Sequence, residues 1–159
     1  MFAIVNFSAR KGIADSRGSP PDAGGRPANV KKTRARRTGV RGETYAYWYL
    51  RRHGYIIIAR NFTTPGLKGE LDLVGYDGQI LAFVEVKTRV TGARPELPAP
   101  EAAVTPDKRH YLARMARQFL RARRAQDAPH RFDILAIESR PGQPPQVRLH
   151  KAAFSPASS

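Results

Sequence analysis

The 159-residue chain has no cysteine, a single tryptophan and few acidic residues. Without cysteine, neither a disulfide-stabilised scaffold nor a cysteine-based zinc site can form. No apolar run approaches the ~20 residues that a membrane-spanning helix needs. Lys and Arg number 28 against 13 Asp and Glu, which gives a formal net charge of +15. Such a charge indicates phosphate-bearing polymers first, and anionic membrane surfaces second, as partners.

The composition divides the chain into an N-terminal arm and a folded part. Of the first 42 residues, ten are basic and two are acidic, and Lys31 to Arg37 is mostly basic. This part has too few apolar residues to fold. We predict a disordered basic arm over residues 1–37, which is either a nucleic-acid-binding tail or an extension without a role. The domain is expected over 38–152, followed by a frayed tail over 153–159.

Hydrophobic patterns predict two helices and five strands in the folded part. The helices are predicted over 38–53 and 105–124, and the strands over 55–62, 70–76, 79–88, 132–137 and 146–150. The fourth strand is apolar on both faces and is expected to be central, while the last is expected at an edge. The order α-β-β-β-α-β-β is typical of an α/β sheet layered with helices.

Acidic residues in the second and third strands do not fit a simple core. The dipeptide Asp77-Gly78 predicts a hairpin with a two-residue turn. Counting back from this turn, Asp72 lies opposite Phe83 and Glu70 lies opposite Glu85. Asp72 is then one diagonal step from Glu85, which is within side-chain reach.

One face of this hairpin therefore collects charged side chains, because alternate residues of a strand share a face. The residues on the acidic face are Glu70, Asp72, Glu85 and Lys87. Leu71 and Leu73 are expected to share the opposite face. Glu43 lies on the same side of the first helix as Ala46 and Tyr47, and it joins the cluster if that helix packs there.

One lysine cannot neutralise three carboxylates in such a cluster. Two like charges ~4 Å apart repel by roughly 4 kcal/mol at an effective dielectric of 20. Either one acid holds a proton through a raised pKa, or a divalent cation lies among the acids. Oxygen ligands without cysteine or paired histidines favour Mg²⁺ or Mn²⁺ over Zn²⁺. The alternative is a surface hairpin whose charges point to water, although the apolar neighbours of Glu85 favour a buried strand.

The spacing of Asp72 and Glu85-Val86-Lys87 resembles the Asp…Glu-x-Lys site of the PD-(D/E)xK nucleases. Glu43 stands on a preceding helix, as in the archaeal Holliday-junction resolvases of that superfamily. More closely, the chain resembles the YraN-like family of uncharacterised proteins over residues 39 to about 150. The matching stretches are Gly42-Glu43, Ala46, Leu50, Gly54-Tyr55, Arg60 to Phe62, Gly69 to Leu73, Phe83 to Arg89 and Arg131 to Asp133. This resemblance implies a restriction-endonuclease-like core.

The resemblance also implies metal-dependent hydrolysis of phosphodiester bonds in branched or structured DNA. Asp72, Glu85 and the carbonyl of Val86 are then expected to hold Mg²⁺ or Mn²⁺. Lys87 is expected to position a water molecule or to stabilise charge in the transition state. Glu43 is expected to bind a second metal or to orient a metal-bound water.

Two further acids and a set of basic residues complete the predicted site. Glu70 is either an extra ligand or a structural partner of Arg89, and Asp133 is expected to pair structurally with an arginine. The second helix is strongly basic and has few acids nearby, so backbone phosphates are its expected counter-charge. The predicted nucleic-acid-binding residues are Arg89, Lys108, Arg109, Arg117, Arg121 and Arg124.

Three functions remain open on the sequence alone. The first is a DNA endonuclease, and the second is a non-catalytic nucleic-acid-binding protein that retains the fold. A ribosome- or membrane-associated basic protein is a third, which depends on net charge alone. We expect DNA as the partner with RNA as the alternative, a homodimer by analogy, a cytoplasmic location and no membrane partner. The aromatic run Tyr45 to Tyr49 can stack on unpaired bases, but it is also typical of packing.

Overall fold

The computed structural model describes residues 42–90 and 104–155, which form a mixed α/β fold. Helix α1 covers residues 42–52 of the described chain and ends before Gly54, whose φ is +87°. The elements that follow are β1 (Ile56–Thr64), β2 (Leu67–Asp77), β3 (Ile80–Val90), α2 (Pro106–Ala122), β4 (His130–Ser139) and β5 (Gln146–Phe154). This order confirms the α/β class and the sequence of elements predicted from the hydrophobic pattern.

The five strands form one mixed sheet in the order β1-β2-β3-β4-β5. Neighbouring strands are antiparallel except β3 and β4, which are parallel. A parallel pair needs a crossover connection, and α2 lies in the segment that joins these two strands. β4 is therefore an inner strand and β5 an edge strand, as predicted. The sheet and its two helices are consistent with a restriction-endonuclease-like core.

Two apolar cores lie on opposite faces of the sheet, one under each helix. Alternate residues of β3 divide between them. Leu81 and Phe83 pack in the core under α2, whereas Ala82 and Val84 pack in the core under α1. Both faces of the central strands are thus covered, which excludes water from the groups between them.

Helix α2 begins and packs as its sequence predicts. The side chain of Thr105 accepts a hydrogen bond from the backbone N–H of Lys108, and Pro106 is the first helical residue. The helix ends at Ala122, two residues before the predicted end, and Arg123 caps it. Its buried stripe consists of Leu112, Ala113, Met115, Ala116, Phe119 and Leu120.

The turn between β2 and β3 lies one residue later than predicted. Asp77 pairs with Ile80, so Gly78 and Gln79 form the turn. Gly78 has a φ of +62°, and a glycine at the first position suits the turns that connect twisted antiparallel strands. The positive φ therefore falls on the first turn residue, and Asp77 remains in the strand.

This turn corrects the predicted register by two residues. Phe83 pairs with Val74, so the predicted pairings of Phe83 with Asp72 and of Glu85 with Glu70 were wrong. The pairing of β2 with β3 ends at Leu73 and Val84, and the backbone N–H of Val86 donates to the Asp72 carboxylate just beyond it, so Asp72 lies beside Glu85 and Val86. Because the shift is an even number of residues, Glu85 keeps its predicted face.

Strand β2 is irregular just before this pairing. Leu71 packs in the core under α2, whereas Leu73 packs in the core under α1. The expectation that these two leucines share a face was wrong, because β2 loses its alternation between them. The neighbouring strand β1 also shifts register, between Phe62 and Thr64. Asp72 lies between these two leucines, at the irregular point of β2. The charges of Glu43 on α1 and Lys108 on α2 act on its carboxyl group.

The C-terminal strand extends further than predicted. Residues 153 and 154 were expected in a frayed tail, but β5 continues to Phe154. The Phe154 ring stacks on Phe132 with centroids 4.9 Å apart, and the backbone N–H of Ala152 donates to Asp133 at 2.9 Å. These contacts hold the end of the strand against the sheet.

Some predictions fall outside the described residues. They are the basic arm over 1–37 and the helix start at Thr38. Within 42–90 and 104–155, no helix combines the length and the apolar character needed to cross a membrane.

Candidate active site

Two predicted acidic side chains, Asp72 and Glu85, meet where β2 and β3 begin to separate. Asp72 is half-buried, and Glu85 is 4% exposed. An oxygen of Asp72 (Oδ2) accepts a hydrogen bond from the backbone N–H of Val86 at 2.7 Å. The structure thus places the amide of Val86 against Asp72, whereas the sequence prediction concerned its carbonyl group.

The environment of Asp72 opposes its ionisation. Burial and then the negative charge of Glu85 raise the pKa of Asp72 to about 7. The hydrogen bond from Val86 and the charge of Lys108 lower that pKa, and Glu43 raises it further. Asp72 therefore gains and loses its proton near neutral pH. A protonated acid was one of the two alternatives predicted for this cluster, and a divalent cation was the other.

Two lysines bond to the same oxygen of Glu85. The ammonium nitrogens of Lys87 and Lys108 lie 3.0 Å and 3.1 Å from Glu85 Oε1. The second oxygen, Oε2, is buried and has no hydrogen-bond partner among the described residues. A buried carboxylate oxygen without a donor is costly, so this atom is a candidate ligand for a cation or an ordered water.

Glu43 approaches the pair from α1 but does not join it directly. A side chain at Gly42 would collide with Thr88 Oγ1, so this glycine lets the start of α1 approach β3 closely. Glu43 is half-buried, and its Oε2 accepts a hydrogen bond from the side chain of Asn61 at 3.1 Å. Its charge nonetheless reaches Asp72 and raises the pKa of that carboxyl.

Tyr111 of α2 contributes a hydroxyl on the same side. A Cβ at Gly69 would lie 2.6 Å from Tyr111 Oη, so the glycine makes room for the ring. The hydroxyl is buried without a hydrogen-bond partner in the described part of the chain. Burial raises the pKa of Tyr111, followed by the charges of Glu85, Glu70 and Asp72. Glu70 is therefore near enough for its charge to act on Tyr111.

These residues fit a hard divalent cation with a small set of protein ligands. No group of three or more His, Asp or Glu side chains converges as metal ligands within residues 42–90 and 104–155. Mg²⁺ commonly retains several waters and binds through one or two carboxylates. Asp72 and the unpaired oxygen of Glu85 provide two such donors.

The neighbouring strand β4 contains a buried acid with a different environment, directed to the other face of the sheet. Asp133 is fully buried and accepts hydrogen bonds from Arg131 at 2.9 Å and from the hydroxyl of Tyr55 at 3.1 Å. Lys151 and Arg131 also bond to Asp77, and these hydrogen bonds hold the pKa of Asp77 below its usual value. The structural pairing of Asp133 with an arginine is therefore as predicted.

Arg89 is held in a separate ion pair. Its guanidinium lies 2.6 Å from Glu138, which also receives Arg148 at 3.3 Å. Hydrogen bonds from these arginines, with that of Arg148 first, hold the pKa of Glu138 below its usual value. Arg89 was predicted to contact nucleic acid, and this pairing places it half-buried beside the end of β3.

Comparisons with known proteins identify the family. A model of an uncharacterised protein family, UPF0102, matches residues 42–137. The chain is 49% identical over 119 residues to a UPF0102 protein of Koribacter versatilis, covering 74% of this chain and 79% of the relative. A UPF0102 protein of Symbiobacterium thermophilum is 42% identical over 120 residues, covering 76% and 98%. The chain belongs to the UPF0102 family.

UPF0102 is the YraN-like family of the sequence prediction, which is therefore confirmed. A third relative, from Geobacter metallireducens, is 41% identical over 116 residues, covering 73% of this chain and 90% of the relative. The family match begins at Gly42 and ends at Ile137. It therefore contains every residue described above as part of the acidic pair and its surroundings.

Sequence reasoning assigned Lys108 to nucleic-acid binding and did not consider Tyr111. Both face the acidic pair from the first turns of α2. The helical spacing could have predicted that both side chains face the sheet. Lys108 lies four residues before Leu112, and Tyr111 lies four residues before Met115, and both of these residues belong to the buried stripe. Their side chains therefore continue that stripe towards the end of β3.

The other predicted binding residues of the UPF0102 chain lie on the exposed side of α2. Arg109, Arg117 and Arg121 are exposed, as is Arg124 just beyond the helix. Arg109 bonds the carbonyl of Val104 at 3.2 Å. The surface retains a strong positive charge, because Asp107 and Asp127 are the acids on or near the helix.

Proposed function

We propose that this protein binds nucleic acid and hydrolyses phosphodiester bonds with the help of Mg²⁺ or Mn²⁺. The observation that supports this proposal is the position of Asp72 beside Glu85, whose buried Oε2 has no hydrogen-bond partner among the described residues. Burial and the charge of Glu85 raise the pKa of Asp72 to about 7. A buried carboxyl in conflict with its neighbour destabilises the fold, and such conflicts concentrate at functional sites.

In this proposal Asp72 and Glu85 Oε2 hold the cation. When bound, such an ion polarises the scissile phosphate and lowers the pKa of a bound water. Lys87 and Lys108 place positive charge beside the reacting phosphate, where negative charge develops in the transition state. Asn61 holds the carboxylate of Glu43 at the edge of the site. In this proposal Glu43 would orient a metal-bound water.

The basic side of α2 supplies binding without sequence readout. Exposed arginines on one helix face attract backbone phosphates, and this attraction depends strongly on salt. Phosphate contacts position a nucleic acid and carry no base information. We therefore expect the substrate to be selected by shape, with DNA preferred and RNA as the alternative. A homodimer on a two-fold junction is an analogy with resolvases.

The test is cleavage of labelled DNA by the full chain. Branched, single-stranded and duplex DNA, with matching RNA, are incubated with Mg²⁺ or Mn²⁺ and separately with EDTA. Cleavage is expected only with metal, and Asp72→Ala and Glu85→Ala should each abolish it. Asp127→Ala, which removes an exposed carboxylate, is the matched control and should cleave like the unaltered protein. Absence of metal-dependent cleavage over this panel would refute the hydrolase.

A second candidate is a nucleic-acid-binding protein without catalysis. It is favoured by the two lysines on Glu85 Oε1, because their charges balance the two carboxylates without a metal ion. Titration calorimetry with Mn²⁺ separates the two candidates. The hydrolase requires Mn²⁺ binding that Glu85→Ala removes, whereas the second candidate predicts salt-sensitive DNA binding that Asp72→Ala and Glu85→Ala leave unchanged.

A further inference from the structure

Two large aromatic side chains of α1 point away from both cores. Trp48 is 56% exposed and Tyr45 is 41% exposed. With Thr44, Tyr49 and Arg52 they line a shallow pocket on the outer side of the helix. We call these five residues the α1 aromatic surface. Positions 45, 48 and 52 are three and four residues apart, so they lie along one side of α1.

These aromatic residues are not needed to anchor the helix. Ala46 and Leu50 are fully buried and fix α1 to the sheet from its inner side. Exposed rings of this size lose contact with the core, and they mark binding surfaces more often than isolated smaller apolar residues do. The packing explanation considered for the aromatic run applies to half-buried Tyr47 and Tyr49, and not to the two exposed rings.

The charge of this surface indicates the chemistry of its partner. The guanidinium of Arg51 lies 5.5 Å from the centre of the Trp48 ring, and Arg52 is exposed one residue further along. Residues 44–52 contain no acid. Exposed rings beside exposed arginines complement a polymer that offers both flat bases and phosphates.

We propose that the α1 aromatic surface binds unpaired nucleotides, whose bases stack on Trp48 and Tyr45. Their phosphates bind Arg52 of this surface and the adjacent Arg51. A duplex hides its base faces within its own stack, so a single-stranded segment is the matching partner. Trp48 follows Glu43 by five residues, which is about 7.5 Å along the helix axis. The inference rests on the proposed nucleic-acid partner and does not depend on a metal site or on catalysis.

Trp48 is the single tryptophan of the chain, so tryptophan fluorescence reports on this surface directly. Full-length Asp72→Ala protein is titrated in EDTA with oligo-dT, with a duplex of equal length and with heparin. Oligo-dT should quench Trp48 strongly, because stacking brings a base against the ring. Heparin carries charge without bases and should quench weakly. Equal quenching by heparin and oligo-dT would refute stacking.

Affinity is measured in parallel by the fluorescence anisotropy of labelled oligo-dT. Trp48→Leu and Tyr45→Ala should each weaken binding about 5-fold or more, the loss expected for one stacked base. Trp48→Phe keeps a ring and should lose less than Trp48→Leu. Ile80→Ala removes an exposed apolar side chain at the β2–β3 turn and serves as the matched control. Unchanged affinity in Trp48→Leu would overturn the proposal.

Accessibility of Trp48 in the free protein provides a second test. Acrylamide should quench its emission efficiently, as the exposed ring predicts. A shielded tryptophan in the full chain would mean that another segment or a second copy covers the surface, and this result too would overturn the proposal. Metal-dependent cleavage can fail while Trp48 still stacks on oligo-dT, so this experiment and the cleavage assay have separate outcomes.

Discussion

Replacing Asp72 with asparagine should stabilise the metal-free protein above neutral pH. The ordinary pKa of this carboxyl is 3.8, and the folded protein raises it to about 7. Since one pKa unit corresponds to about 1.4 kcal/mol, ionised Asp72 destabilises the fold by up to about 4 kcal/mol at pH 8. Asp72 is only half-buried, so screening by water reduces this figure, and we expect about 2 kcal/mol.

The sign of the effect depends on pH. Below the unfolded pKa both states hold the proton, so ionisation has no effect on stability there. As pH rises from 4 to 7, the unfolded chain releases its proton while folded Asp72 retains it, and the destabilisation grows. Above about pH 7 it is constant. An asparagine side chain at this position would remain uncharged throughout, so Asp72→Asn should gain stability progressively between pH 4 and 7.

Urea denaturation in EDTA at pH 4.5, 6 and 8 measures this difference. An asparagine oxygen can still accept the hydrogen bond that Val86 donates to Asp72, so the variant keeps the local geometry. Asp127→Asn makes the same change of charge at an exposed position and controls for net charge. A gain that stays the same at all three pH values, or a loss of stability at pH 8, would refute the reasoning.

Three further predictions concern the surroundings of the site. Asp133→Ala should lower the free energy of unfolding by about 2–4 kcal/mol in urea denaturation, because the Tyr55 hydroxyl and the backbone N–H of Ala152 lose their acceptor while Arg131 keeps only Asp77; a loss below about 1 kcal/mol would contradict this. Gly42→Ala should lower the melting temperature through its collision with Thr88, and adding Thr88→Ala should recover part of the loss; an unchanged melting temperature counts against the close approach. Lys108→Met should strengthen Mn²⁺ binding several-fold in calorimetry, since it removes a cation from Glu85; weaker binding would show that Lys108 does not compete.

Local signals carried the sequence-based prediction of the fold. Thr105 and Pro106 predicted the start of α2, which has Thr105 as its N-cap and begins at Pro106. The apolar residues of this helix repeat at helical spacing. Such features depend on neighbours in the chain, so the sequence alone was enough to interpret them. The fourth strand was predicted as central for a similar reason, since both of its faces are apolar and both are covered.

The details that failed depend on contacts between distant segments. The sequence Asp77-Gly78 allows more than one hairpin turn. The turn forms at Gly78-Gln79, and this shifts the pairing of β2 with β3 by two residues from the predicted register. The division of Leu71 and Leu73 between two cores follows from an irregularity in β2 that no residue pattern indicates. Lys108 reaches Glu85 because α2 packs on the face of the sheet to which Glu85 belongs, and spacing along one helix cannot establish this.

A comparison of half-buried Asp72 with fully buried Asp133 explains why only the surroundings of Asp72 are a candidate for chemistry. Asp133 receives an arginine, a tyrosine hydroxyl and a backbone N–H, so its charge is fully compensated within the fold. Asp72 receives the N–H of Val86 and faces a second carboxylate. A sheet that can satisfy one buried acid completely could satisfy the other in the same way with a single arginine. The positive charge near Asp72 instead comes from two lysines that bond to its neighbour Glu85 and remain partly exposed, so that a phosphate can bind these lysines and a cation can displace them from Glu85.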